Sequence, residues 1–273
     1  MHPKWVPQMA DAADVVAALA PFGGVRFSAL VPNLMGYERA AAAGLRQVDF
    51  VIAAFDTFNH KNLNCSIEES IETLKAVRAA AKRDGIAVRV DISTSFHCPF
   101  EGRTPVDAVV RVVRAALDCG VQRIALDDTD GMAFPDQVLA AVKTVQERCG
   151  VDPADLILHL HDTYGRGLTN AMVGLEAGVR AFDVSVGGLG GCPFSPGSSG
   201  NLATEDLVAL LSGLGYSTGI DMEKLLDAAQ FAGGLSSRQY QGHLLRVRRP
   251  QALAAAAASA PAAALASDAK GAV

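Results

Sequence analysis

No stretch approaching 20 apolar residues is free of charges and turn residues, so no membrane span is expected. The first residues, Met1-His2-Pro3-Lys4-Trp5, lack the apolar core of a secretory signal. There is no basic run. The 24 Lys and Arg against 29 Asp and Glu leave a net charge of -5, which argues against nucleic acid as a partner. Cysteine is sparse, five residues in 273, with no Cys-x-x-Cys pair and no secreted-domain spacing. Reduced thiols in the cytoplasm are the expectation. No Gly-x-Gly-x-x-Gly opens a helix, so the dinucleotide-binding signature is missing.

What is present is a chain of 50% hydrophobic and 19% charged residues, suited to a large buried core. Short apolar strands alternate with helices. Strands are expected at residues 25–31, 48–53, 86–93, 123–127, 156–163 and 181–186. Helices are expected at 9–20, before Gly44, from Ser66 with Glu69 in a capping box, from Thr104 as N-cap with Pro105 at the first helical position, from Pro135, over 168–177, and at 203–214 and 221–232. Strict alternation means βα units and a parallel sheet. Four strands finish in polar residues, Asp56, Ser93 with Ser95, Asp127 with Asp128, and His161 with Asp162. Strand ends of that kind form the active-site mouth of a (β/α)8 TIM barrel, which is the fold class expected here. Six strands are visible where eight are needed. Residues 1–248 are read as a barrel-type catalytic domain lacking its first two strands. Residues 249–273, mostly Ala, show no large apolar face and read as a disordered tail.

The most informative stretch is Leu156-Ile157-Leu158-His159-Leu160-His161-Asp162-Thr163. A strand has period two, so His159 and His161 share one face and the leucines the other. Two same-face imidazoles at a strand end can chelate a divalent metal. The same pattern also fits two hydrogen-bonded core histidines.

Further segments join this one: Ser185-Val186-Gly187-Gly188-Leu189-Gly190-Gly191-Cys192-Pro193-Phe194, Gly200-Asn201-Leu202-Ala203-Thr204-Glu205-Asp206, Pro3-Lys4-Trp5-Val6-Pro7-Gln8-Met9, Asn64-Cys65-Ser66-Ile67-Glu68-Glu69-Ser70, and Cys98-Pro99-Phe100-Glu101-Gly102. Together, over about residues 3–235, they closely resemble the hydroxymethylglutaryl-CoA lyases, metal-dependent (β/α)8 lyases related to isopropylmalate synthase. The resemblance implies a divalent metal, Mg or Mn, with zinc also compatible, on His159, His161 and Asn201 plus a first-strand Asp. It implies cleavage of 3-hydroxy-3-methylglutaryl-CoA to acetoacetate and acetyl-CoA. It places Cys192 on a lid as a catalytic thiol, with Gly190 and Gly191 beside it, and leaves His159 as the candidate base. Asp128, Asp206, Gly190 and Gly191 are candidate substrate contacts. An acyl-CoA ligand and a homodimer are expected, and a nucleic-acid or membrane partner is not. The first-strand Asp and Arg and the second-strand Glu of the family have no counterpart, and Met1 falls near the end of the second strand. A late start explains this. Taken literally, it also raises the alternative of a lyase-like homologue with another substrate, or of a retired enzyme. Asp127, Asp130 and His97 stand where the family usually has Gly, an apolar residue and Gly, so they bear on which acyl-CoA fits.

Overall fold

The computed structural model describes residues 9–19, 21–191, 200–235 and 242–250. In chain order the elements are α1 (Ala12–Leu19), β1 (Ser28–Val31), α2 (Leu34–Ala42), β2 (Gln47–Ala53), α3 (Asp56–Leu63), α4 (Ile67–Asp84), β3 (Ala87–Ser93), β4 (His97–Cys98), β5 (Gly102–Arg103), α5 (Val106–Asp118), β6 (Arg123–Asp127), α6 (Pro135–Cys149), β7 (Leu156–His159), α7 (Gly167–Glu176), β8 (Ala181–Asp183), α8 (Thr204–Gly213), α9 (Met222–Gly234) and α10 (His243–Arg248). The chain divides into two compact units. The first takes in residues up to 160 together with 169–183, and the second takes in 161–168 and the residues from 184 onward.

The first unit holds a six-stranded sheet in the order β1-β2-β3-β6-β7-β8. Every pairing is parallel and joins strands consecutive in that order. This is the order of six successive βα units of a (β/α)8 barrel, as the alternation anticipated. Successive side chains alternate between faces. On the outer face Val48, Phe50, Ile52, Val90, Ile92, Ile124, Leu126, Leu156 and Leu158 are at or near zero exposure. Helices pack on the strands from that side, α4 on β2 and α5 on β3 among them. Each such side chain contributes about 1.5–3 kcal/mol by leaving water. The inner face is polar, and it carries Asp49, Arg89, Asp91, Asp127, His159 and Asp183 at period-two positions.

Several local expectations hold. Ser66 Oγ accepts from the Glu69 amide and Glu69 Oε2 from the Ser66 amide, completing the capping box of α4. Pro135 opens α6. Others are corrected. Pro105, not Thr104, is the N-cap of α5. The Thr104 hydroxyl is instead engaged with the Thr94 carbonyl at 2.7 Å. The sixth strand stops at Asp183, because Gly187 takes φ +68° and the chain turns into a 3-10 segment at Val186–Gly188. The strand expected through His161 ends at His159. The Asp162 carboxylate draws the chain into a turn by accepting from the Gly167 amide at 2.7 Å. The Cys98-to-Gly102 segment is an antiparallel hairpin, β4 against β5. No described helix is long and apolar enough to cross a membrane.

Candidate active site

The inner face of the first unit is one charge network. The Arg89 guanidinium grips Asp91 with two bonds, Nε at 2.6 Å and Nη2 at 2.9 Å. It grips Asp183 with two more, Nη1 at 3.0 Å and Nη2 at 2.7 Å. Asp49 lies 3.4 Å from Nε and accepts the Ser28 hydroxyl at 2.5 Å. Paired forks of this kind suit the planar guanidinium and no other side chain. One row further toward the strand ends, Asp127, His159 and Asp183 stand in direct register on three neighbouring strands. His159 Nδ1 is 3.3 Å from Asp183 Oδ2. A carboxylate can only accept, so this contact puts the proton on Nδ1 and makes Nε2 the basic nitrogen.

The electrostatics follow from that packing. Burial opposes charging His159, but the hydrogen bond to Asp183 and the charges of Asp127, Asp183 and Asp91 outweigh it and push its pKa up to about 9. Burial also works against the Asp183 carboxylate, yet His159 and Arg89 hold it below the usual range. Asp127 has the opposite fate. Burial drives its carboxyl well above the ordinary value, Asp91 and Asp183 add to the rise, and His159 opposes it.

In the second unit, His161 and Asn201 face each other across an isolated antiparallel bridge. Asn201 Nδ2 donates to the Leu189 carbonyl at 2.9 Å. That bond fixes the amide, and Oδ1 is left buried with no hydrogen-bond partner. The glycines make this possible. Gly190 sits at φ +110°, and a Cβ there would collide with Asn201 Nδ2. A Cβ on Gly200, at φ +108°, would meet the Gly190 and Gly188 carbonyls. A bare amide oxygen beside an imidazole is a donor pair that fits a divalent cation. Among the described residues no three His, Cys, Asp or Glu side chains already converge as a cation cage.

The remaining expected residues are placed as follows. Asp128 is fully buried, and its Oδ1 accepts the Ala133 amide at 3.1 Å. Asp206 accepts the amides of His243 and Leu244, both at 2.7 Å, and so caps α10. Both are engaged in building loops. Gly191 ends a described segment, and Cys192 lies outside the described residues. His97 and Asp130 form a pair, Nδ1 to Oδ2 at 2.6 Å, with Asp130 also accepting the Met132 amide at 3.2 Å. Reasoning from the sequence missed Arg89, Asp49, Asp91 and Asp183. Period-two spacing aligns Arg89 and Asp91 with Ser93 at the end of their own strand, but only the register of the sheet shows that all four share the face of Asp127 and His159. It also missed Glu205, fully buried, which accepts the Gly187 amide at 3.0 Å and holds the turn ahead of the glycine loop.

Comparison with known proteins identifies the family. The family model described as HMGL-like matches residues 4–232. Hydroxymethylglutaryl-CoA lyase of Macaca fascicularis, a mitochondrial enzyme, is 45% identical over 231 residues, 85% of this chain and 70% of that one. The crystal structure of the HMG-CoA lyase of Bacillus subtilis superposes with a TM-score of 0.87 at 38% identity, over 91% of this chain and 83% of that one. An HMG-CoA lyase of Acinetobacter baumannii, solved with coenzyme A and 3-methylmalate, gives 0.85 at 34% identity, over 90% and 80%. The polar inner face, the His161–Asn201 bridge and the glycine turns that shape it are therefore features of an HMGL-like carbon–carbon lyase, the family to which this chain belongs.

Proposed function

We propose that this chain cleaves 3-hydroxy-3-methylglutaryl-CoA to acetoacetate and acetyl-CoA. The observation that carries the reading is 45% identity over 85% of the chain to an enzyme of that name. A coenzyme A complex of a relative at 34% identity supports an acyl-CoA as the ligand. The homodimer expected above extends the proposal on the family resemblance, and the cytoplasmic location extends it on the sparse, unpaired cysteines.

His159, His161 and Asn201 are the proposed holders of a divalent metal, Mg or Mn. The bare Oδ1 of Asn201 and the Nδ1 anchoring of His159 support those roles. When bound, the metal supplies Lewis acidity that makes the substrate's tertiary hydroxyl easier to deprotonate. His159 is the proposed base. Asp183 holds the ring by Nδ1, which leaves Nε2 as the one nitrogen free to act; it takes the hydroxyl proton only when it is not on the metal, and the imidazolium so formed is stabilised by the same carboxylate. Carbon–carbon cleavage then releases acetoacetate and leaves the acetyl-CoA enolate, which must gain a proton at carbon. Cys192 is the proposed donor, a thiol on a glycine-flanked segment. Gly190 and Gly191 are proposed to contact the substrate. Asp128 and Asp206 act through the loops they brace.

The test is turnover of the thioester by the metal-loaded chain beside Cys192→Ser. The wild type is expected to release acetoacetate, and the variant to lose at least ~100-fold in kcat, the scale of one acid–base group. Equal turnover by the variant would remove Cys192 from the mechanism. No turnover by either, both folded, would remove the substrate assignment.

A further inference from the structure

The sheet of the first unit has a second end, where its strands begin. A cavity of about 220 Å³ opens there, beside the first residues of β2, β3 and β6. Three arginines line it, Arg78, Arg89 and Arg123, together with Gln47, Gln122 and Gly120. No Asp or Glu lines it among the described residues. Arg123 stands four residues before Asp127 on β6, so the cavity lies about 13 Å along the strand from the row of Asp127 and His159.

The three guanidiniums differ in how far their charge is already matched. Arg89 faces Asp91, Asp183 and Asp49 at distances from 2.6 to 3.4 Å. Asp49 is itself engaged by the Ser28 hydroxyl and by Gln47 Nε2 at 3.1 Å. Arg78 reaches from α4 to the Gly120 carbonyl, Nη2 at 3.0 Å, at a turn just past α5 where Gly120 takes φ +78°. That bond holds the side chain in place, yet Arg78 Nε is buried with no acceptor among the described residues. Arg123 is exposed, and its guanidinium makes no ion pair or hydrogen bond among the described residues. Arg123 is also the register partner of Arg89, so two cationic side chains leave neighbouring strands on one face. A buried N–H without an acceptor is costly unless one reaches it from outside the chain. The cavity therefore offers donors and positive charge in excess of the acceptors around it. Guanidinium forks of this kind match the oxygens of a phosphate group.

We propose that this cavity binds a phosphate group, free or as a monoester, on Arg78 and Arg123 at the N-terminal end of the sheet. The site is independent of the lyase reading, since neither arginine belongs to the candidate active site. A phosphate that binds only the folded chain also raises its melting temperature.

The experiment is calorimetric titration of the full chain with sodium phosphate and, separately, with glycerol 3-phosphate. Ionic strength is held constant, and EDTA is present so that no cation holds the anion. Wild type is compared with Arg123→Gln and with Arg103→Gln, the latter an exposed arginine of the same unit outside this cavity. Wild type and Arg103→Gln are expected to bind phosphate within twofold of each other and to melt higher in its presence. Arg123→Gln is expected to bind at least tenfold more weakly and to lose that rise. Should Arg123→Gln melt lower without phosphate, Arg123→Lys carries the comparison, with a several-fold loss expected because an ammonium keeps the charge without the fork. Tighter binding of glycerol 3-phosphate supports the site as one for an esterified phosphate, and tighter binding of the inorganic ion supports it as one for free phosphate. No uptake of either by the wild type, unchanged affinity in the Arg123 variants, or an equal loss in Arg103→Gln would overturn the proposal.

Discussion

Arg89 is the residue on which the inner face depends. Removing it leaves three acidic side chains facing one another in a space where each is less than a third exposed. Arg89→Met should cost about 3–5 kcal/mol in denaturant unfolding, the usual penalty for stranding buried charge. Arg89→Lys should recover only part of it, since an ammonium cannot form two forks. Full stability in the lysine variant would show the bidentate geometry to be incidental. His159 gives a pH signature. Its pKa in the metal-free fold is about 9, above the unfolded value, so its stabilising contribution is complete below ~6.5 and is lost as the pH rises through 9. The same proton must leave before the ring can bind metal. Mn affinity is therefore expected to rise from pH 6.5 to 9, and His159→Gln should flatten that rise. A wild-type affinity independent of pH over this window would contradict the raised pKa. At this scale the sequence singled out His159, His161 and Asn201 as candidates, because their spacing and neighbours are distinctive. Arg89 and Asp183 were hidden, because an Arg or Asp inside a strand reads as solvent-facing until the sheet shows which face is enclosed.

At the level of elements, the alternation of apolar runs with helices located all six main strands, and the α4 capping box was legible from Ser66 and Glu69 alone. Ser66→Ala should cost about 1 kcal/mol by urea unfolding, an ordinary N-cap loss. The short pieces were not legible. The hairpin of β4 and β5 is two residues a side and is held by tertiary contacts, among them the Thr104 amide to the Phe96 carbonyl at 3.0 Å. Helix α10 spans six residues and depends on the Asp206 cap, a contact 37 positions away in the chain. Strands β7 and β8 proved shorter than their apolar runs, because turns anchored by Asp162 and Gly187 interrupt the ladder. The glycine turn carries its own test. Gly190→Ala meets both a positive φ and the Asn201 amide. It should weaken Mn binding several-fold through displacement of Asn201, with the first unit's stability unchanged. Unaltered affinity would separate the turn from the metal site.

For the molecule as a whole, the chemistry of the family and the geometry of this chain meet at the strand ends. Composition, with a net charge of -5, argues against a basic nucleic-acid surface. The fold class followed from alternation, whereas the reaction became legible only from the combination of the His-x-His segment with the glycine–cysteine loop and Asn201. The physical reason is that the proposed ligands and the proposed proton donor lie on separate segments, His159 and Asn201 among them, which no single periodicity connects. The decisive measurement is release of acetoacetate and acetyl-CoA from 3-hydroxy-3-methylglutaryl-CoA by the 273-residue chain with Mn or Mg, before and after chelation. Equal release of the two products, abolished by EDTA and restored by added metal, is the expected result. A folded, Mn-loaded chain that leaves the thioester intact would contradict the lyase reading.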